Sequence, residues 1–265
     1  VVGAAVATVL AQALSAVLCL IYAFRKYEEL HPTKSDFHVA LSFYVRHLRQ
    51  GIPMGLQFSV LAIGIIVMQS VVVQFDTLGG QMVSSAAQNG FGAANKLSNL
   101  AATPMNGLGA AMTSFTAQNL GARRCDRVRE GYRGCLKMMA LIATAFAAVY
   151  VLLGDQVIRL FLNGENTQAL SVGKQFLRVV APFYYAVALK VATDGVLRGA
   201  GRMGEFMTDT FIDLALRVVL SFVLSAPLGL QGVWWSWPVS WVVATVAAIV
   251  FYRQNRWAKL EPGDA

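Results

Sequence analysis

Residues 51–75 read GIPMGLQFSVLAIGIIVMQSVVVQF, a run without one Asp, Glu, Lys or Arg. A helix needs roughly 20 predominantly apolar residues to cross the hydrocarbon of a bilayer, so this run is long enough to span. Upstream, residues 1–24 (VVGAAVATVLAQALSAVLCLIYAF) are equally free of charge. Downstream, further spans are expected within 82–118 and near 134–153, 175–197, 206–225 and 232–252, which brings the expected number to seven. The turn signals DTLGG, GDQVIRLFLNGEN, RGAGRMG and APLGLQG fall between them.

Composition agrees with this reading. The chain is 56% hydrophobic and 14% charged, against roughly 25% charged in an ordinary soluble domain, and its mean hydropathy is +0.54. No strand-length alternation competes, so the expected fold is an all-α polytopic membrane bundle rather than a barrel.

Basic residues accumulate on the cytoplasmic side of membrane proteins, and here they divide sharply. One set of alternate connections holds Arg25, Lys26, Lys34, Arg46, Arg49, Arg123, Arg124, Arg127, Arg129, Arg133, Lys137, Arg198, Arg202, Arg253, Arg256 and Lys259, while the other holds only Arg159 and Lys174. This places the amino end outside and the carboxyl end in the cytoplasm of a plasma-membrane protein. The net charge of +8 is then mainly a topology signal, with the lipid bilayer as partner and no nucleic acid. Cys19, Cys125 and Cys135 show no CxxC or His/Cys metal spacing, and His31, His38 and His47 all lie in one connection, so neither a metal nor a cofactor is expected.

That connection has its own periodicity. In SDFHVALSFYVRHLRQ (35–50), Phe37, Leu41, Tyr44 and Leu48 recur at helical spacing, which predicts an interfacial helix capped by Ser35 or Asp36 and leading to Pro53 in the first turn of the next span.

The third span carries an unexpected polar set. Gln88, Asn95, Asn99 and Asn106 are separated by seven, four and seven residues, so at 3.6 residues per turn they share a narrow face, bordered by Lys96. Two readings fit: the stripe lines a water-filled cavity, or its amides bond neighbouring helices. Charges recur later at fourfold spacing, as Lys190, Asp194 and Arg198, then as Glu205, Asp209, Asp213 and Arg217. They read either as a salt-bridge clip between two helices or as a protonatable site, with Asp194 and Asp213 as the coupling candidates.

The run AANKLSNLAATPMNGLGAAMTSFTAQNLGARRCDRVREG, with Gln118, Asn119, Gly121 and Ala122 at its turn, resembles the multidrug and toxic compound extrusion (MATE) family. GIP at 51–53, LRGAG at 197–201 and GLQGVWWSWPVSW at 229–241 resemble the same family. The resemblance implies two six-helix lobes and a secondary active, cation-coupled antiporter that exports drugs or other amphiphilic organic compounds. Residues 1–24 are then the last helix of a preceding, missing N-terminal lobe. Residues 25–50 form a cytoplasmic linker, 51–252 a six-helix lobe and 253–265 a cytoplasmic tail. The coupling ion is H+ or Na+. A lipid-linked oligosaccharide flippase of the same superfamily is the alternative.

Sodium-coupled members carry carboxylates at positions that correspond here to Leu61 and Val187, so that cation site is expected to be missing. Amide and aromatic residues suited to a small organic cation are Gln57, Gln69, Asn95, Phe58, Tyr184 and Tyr185. An enzyme is not expected, since HExxH and GxSxG are absent and no histidine lies within a span.

Overall fold

The computed structural model describes residues 2–28, 31, 40–78, 81–162 and 167–258. The expected caps Ser35 and Asp36, with Phe37 and His38, lie outside the described residues, as does the side chain of Phe58. Two compact units are present, Val1–Arg49 and Gln50–Ala265.

The first unit contains α1 (Val2–Lys26), whose side chains are exposed along almost its whole length. Lys26 donates to the Tyr22 hydroxyl at 2.7 Å, and His31 Nε2 lies 2.7 Å from the Phe24 carbonyl oxygen. An apolar helix exposed all round needs lipid or other helices as its solvent.

The next helix, α2 (Leu41–Val73), begins in the first unit and continues into the second. It corrects the expected helix start at Pro53, which instead lies inside α2. A proline there removes one i→i−4 hydrogen bond, and membrane helices tolerate this.

After α2 comes a small antiparallel hairpin, β1 (Thr77–Leu78) with β2 (Gln81–Met82), which the all-helical expectation missed. Residues 83–85 lead from it to α3 (Ala86–Gly121). The start of α3 is fixed by Asp76, a buried carboxylate that accepts the amide hydrogens of Ala87 at 3.0 Å and Gln88 at 2.8 Å. These are two of the unpaired donors at a helix start, where an anion also meets the positive end of the dipole.

The remaining helices are α4 (Cys125–Leu152), α5 (Gly154–Arg159), α6 (Thr167–Val180), α7 (Tyr184–Gly199), α8 (Met203–Leu228) and α9 (Leu230–Arg253). The break between α6 and α7 falls at a single 3-10 turn around Pro182, so the expected fifth span is one path of two segments.

Among the described residues, six stretches are long and apolar enough to cross a membrane: Ala5–Lys26, Leu41–Asp76, Cys125–Leu152, Thr167–Gly199, Met203–Leu228 and Leu230–Arg253. The expected third span, α3, has the length at 36 residues but is too polar to stand among them. Its amides, threonines and glycines are the cause. The chain is thus an all-α polytopic membrane protein.

Within the second unit α3 packs on α4, α6 and α7, and α9 packs on α6, α7 and α8. Small residues let the backbones approach, the usual basis of helix contact in lipid. A Cβ added to Gly173 of α6 would lie 2.9 Å from the Gly90 carbonyl oxygen of α3, and one on Gly195 of α7 would lie 2.8 Å from that of Gly109. Between these contacts sits an aromatic core. Phe91 stacks on Trp234 at 5.5 Å between centroids, and Phe176 meets Trp234 edge-on at 5.1 Å. Two buried tyrosine hydroxyls are tied down: Tyr150 donates to the Leu97 carbonyl at 2.7 Å, and the Tyr132 and Thr193 hydroxyls are 2.9 Å apart.

Candidate functional site

The residues singled out from the sequence separate into two places. The first is the outer face of α3. Its inward face is Ala87, Phe91, Ala94, Leu97, Ser98, Ala101 and Met105, all buried. The polar stripe lies elsewhere around the helix: Gln88 and Asn95 are half-buried, and Lys96, Asn99 and Asn106 are exposed. Among the described residues, none of these five side chains hydrogen-bonds to another helix. Periodicity alone had located the face but not the direction in which it points, which is away from the aromatic core.

On α2, Gln69 is exposed and Gln57 is half-buried, with a buried Oε1 that has no hydrogen-bond partner. Tyr184, expected to line the cavity, sits inside the lobe. It is 2% exposed, its hydroxyl is 3.0 Å from that of Ser98, and it packs against Tyr150 and Trp241. A phenol fixed in this way joins α7 to α3 and offers no open ring face. Tyr185 is exposed, its hydroxyl 2.8 Å from that of Thr144.

The second place is the charged zone of α7 and α8, which is buried in the lobe. Lys190 Nζ donates to Asp194 Oδ2 at 2.7 Å on its own helix and to Asp209 Oδ1 at 3.3 Å on α8. The clip between the helices therefore exists, and its α8 member is Asp209. One turn further along, Arg217 Nη2 contacts both Asp213 oxygens at 2.7 Å. The Arg217 guanidinium lies 4.5 Å from the Trp237 ring centroid and 5.9 Å from that of Trp241. Its Nε donates to Ser240 Oγ at 3.5 Å. Asp213 is thus fully engaged.

Asp194 and Asp209 are not fully engaged. Asp194 Oδ1 and Asp209 Oδ2 are buried and lack a hydrogen-bond partner. Sequence spacing pointed to Asp194 but not to Asp209, which is the most buried of the three carboxylates at 0% exposed. Its place in the ladder Glu205, Asp209, Asp213 was visible, but which rung meets Lys190 depends on how α7 and α8 cross. Among the described residues no group of three or more His, Cys, Asp or Glu side chains is arranged to hold a metal ion.

Known proteins give this arrangement a family. The MatE family matches residues 57–223. The chain is 29% identical over 260 residues to the probable multidrug resistance protein YpnP of Bacillus subtilis (strain 168), covering 98% of this chain and 56% of that protein. It is 23% identical over 260 residues to the probable multidrug resistance protein NorM of Thermotoga maritima, with 97% and 54% covered. Among solved structures, the outward-facing conformation of a multidrug resistance MATE family transporter of the MOP superfamily superposes with a TM-score of 0.84 at 24% identity, over 96% of this chain and 55% of that one. The chain therefore spans about half the length of the curated relatives it matches. With the helical lobe, the small-residue contacts and a match over most of the second unit, the chain belongs to the MatE family.

Proposed function

We propose that this chain supplies one lobe of a secondary active, cation-coupled antiporter that exports drugs or other amphiphilic organic compounds across the plasma membrane, with its carboxyl end in the cytoplasm. The observation that carries the reading is the outward face of α3. Gln88, Asn95, Asn99 and Asn106 make no side-chain hydrogen bond to another helix of the lobe among the described residues, and lipid has none to offer. Polar groups at membrane depth face protein or a water-filled cavity. A companion lobe facing this stripe would enclose such a cavity between the two.

The chemistry of the face fits small organic cations better than anionic lipid-linked sugars. It presents amides and a single cation, Lys96, rather than the dense arginine lining a flippase cavity would need. The names of the relatives, multidrug resistance proteins, point the same way.

The test is efflux by the full-length protein in inverted vesicles, with Asn95→Leu, Asn99→Leu and Asn106→Leu. Because none of these amides bonds another helix of the lobe, all three variants should assemble normally. Export of an organic cation should fall several-fold. Normal export with all three substitutions combined would contradict the reading.

A further inference from the structure

Two buried cations, the half-buried Arg198 and three buried carboxylates gather along α7 and α8, and their pairing is uneven. Asp213 gives both oxygens to Arg217. Lys190 serves Asp194 and Asp209 together, with one bond to each. Each of those carboxylates keeps a buried, unpartnered oxygen, and Asp194 and Asp209 are 5% and 0% exposed. An unpaired buried carboxylate oxygen loses its hydration without compensation. Both carboxyl groups converge on the same ammonium. Two carboxylates that share one counter-charge repel each other, and a proton on one of them relieves that repulsion.

Arg198 is the remaining cation. It follows Asp194 by four residues on the same helix, yet among the described residues it forms no ion pair. Its Nε is buried without a partner, and its guanidinium lies 5.2 Å from the Phe206 ring centroid. It shares a face of α7 with Asp194, one turn away, and so is placed as an alternative partner for the carboxylates without being bound to them.

We propose that Asp194 and Asp209 share one exchangeable proton, with Lys190 as the fixed counter-charge and Arg198 as the cation that replaces the proton when it leaves. In the loaded state the site holds Lys190 as ammonium, one carboxylate and one carboxylic acid, and is neutral. On release the proton passes to water, the second carboxylate becomes anionic, and the Arg198 guanidinium moves onto it. No bond other than O–H breaks. Because Arg198 sits at the end of α7 and Asp209 on α8, the exchange would shift one helix end against the other.

The ionisable groups around the site come from three helices. On α7 they are Lys190, Asp194 and Arg198. On α8 they are Asp209 and Asp213, the latter held by Arg217, with Glu205 one turn nearer the α7–α8 turn and carrying its own buried, unpartnered Oε2. From α4, Tyr132 interacts with Asp194 and bonds to Thr193 beside it. A sodium ion is a poor occupant, because Lys190 already fills the space between the carboxylates with positive charge.

The binding of the proton stands on this geometry alone. Its use in coupling rests on the transporter reading above.

The test is infrared difference spectroscopy on the purified full-length protein during pH steps, without substrate. The wild type should lose one carboxylic-acid C=O band as pH rises. Asp209→Asn and Asp194→Asn should each abolish it. Arg198→Gln, which leaves both carboxyl groups in place, should make the band persist to higher pH by about one unit, a tenfold change in proton affinity. That last variant keeps the proposal falsifiable if the aspartate variants fold poorly. Absence of the band in wild type, a titration unmoved by Arg198→Gln, or displacement of the proton by sodium would overturn the proposal. A normal titration combined with efflux whose pH dependence ignores Arg198→Gln would overturn the coupling role and leave the proton site standing.

Discussion

Arg217 grips Asp213 through both carboxylate oxygens at 2.7 Å, one turn apart on the same helix, while its guanidinium packs over Trp237. The pair is therefore a self-contained polar plug between α8 and α9. Counting at about 1.5 Å per residue, Arg217 lies roughly 18 Å along the helix from Glu205, a depth at which a lone charge is expensive.

Removing one partner should cost far more than removing both. Arg217→Gln or Asp213→Asn alone leaves a buried charge uncompensated, a change of about 3–5 kcal/mol in comparable pairs. The double variant should recover part of that loss. Thermal unfolding of the full-length protein in detergent measures it. Additive losses would mean that the two side chains do not depend on each other.

Asp76 should behave as a helix cap although it lies outside the helix. Asp76→Ala removes the acceptor for the Ala87 and Gln88 amides and should destabilise by about 1–2 kcal/mol. Hydrogen exchange should show the effect first at residues 86–89. Unchanged protection there would contradict the assignment.

The α3–α7 contact predicts a steric limit. Gly195→Val places a Cβ 2.8 Å from the Gly109 carbonyl oxygen and 2.9 Å from Met112 Cβ, and overpacking of this kind costs about 1–3 kcal/mol. Melting temperature should fall clearly. The same substitution at Gly107, whose added Cβ meets nothing within 4 Å, is the control and should be far milder.

Much of this was legible before the structure. Charge-free runs reveal spans because a bilayer punishes any interruption, so α1, α2, α4, α8 and α9 follow from composition alone. The phase of the α3 stripe follows from helical geometry in the same way. Direction did not follow, because a helix with glycines and alanines on one side and amides on the other can be packed through either. Asp76 reaches across a hairpin to cap α3, and Asp209 rather than Asp213 meets Lys190. Both facts depend on tertiary crossing, which periodicity within one segment does not encode. The contact of the Tyr184 hydroxyl with Ser98 likewise depends on how α7 packs on α3.

The central claim is that the outer stripe of α3 faces water and substrate, and single-cysteine accessibility measures this most directly. In a background lacking Cys19, Cys125 and Cys135, cysteines at Asn95, Asn99 and Asn106 of the full-length protein should react with a small polar thiol reagent. Saturating substrate should slow those reactions. Cysteines at the buried Ala94 and at Leu100, which lies on another face of the helix from the amides, should stay unreactive. Uniform protection along all five positions, or labelling at Asn99 and Asn106 that substrate leaves untouched, would contradict the account.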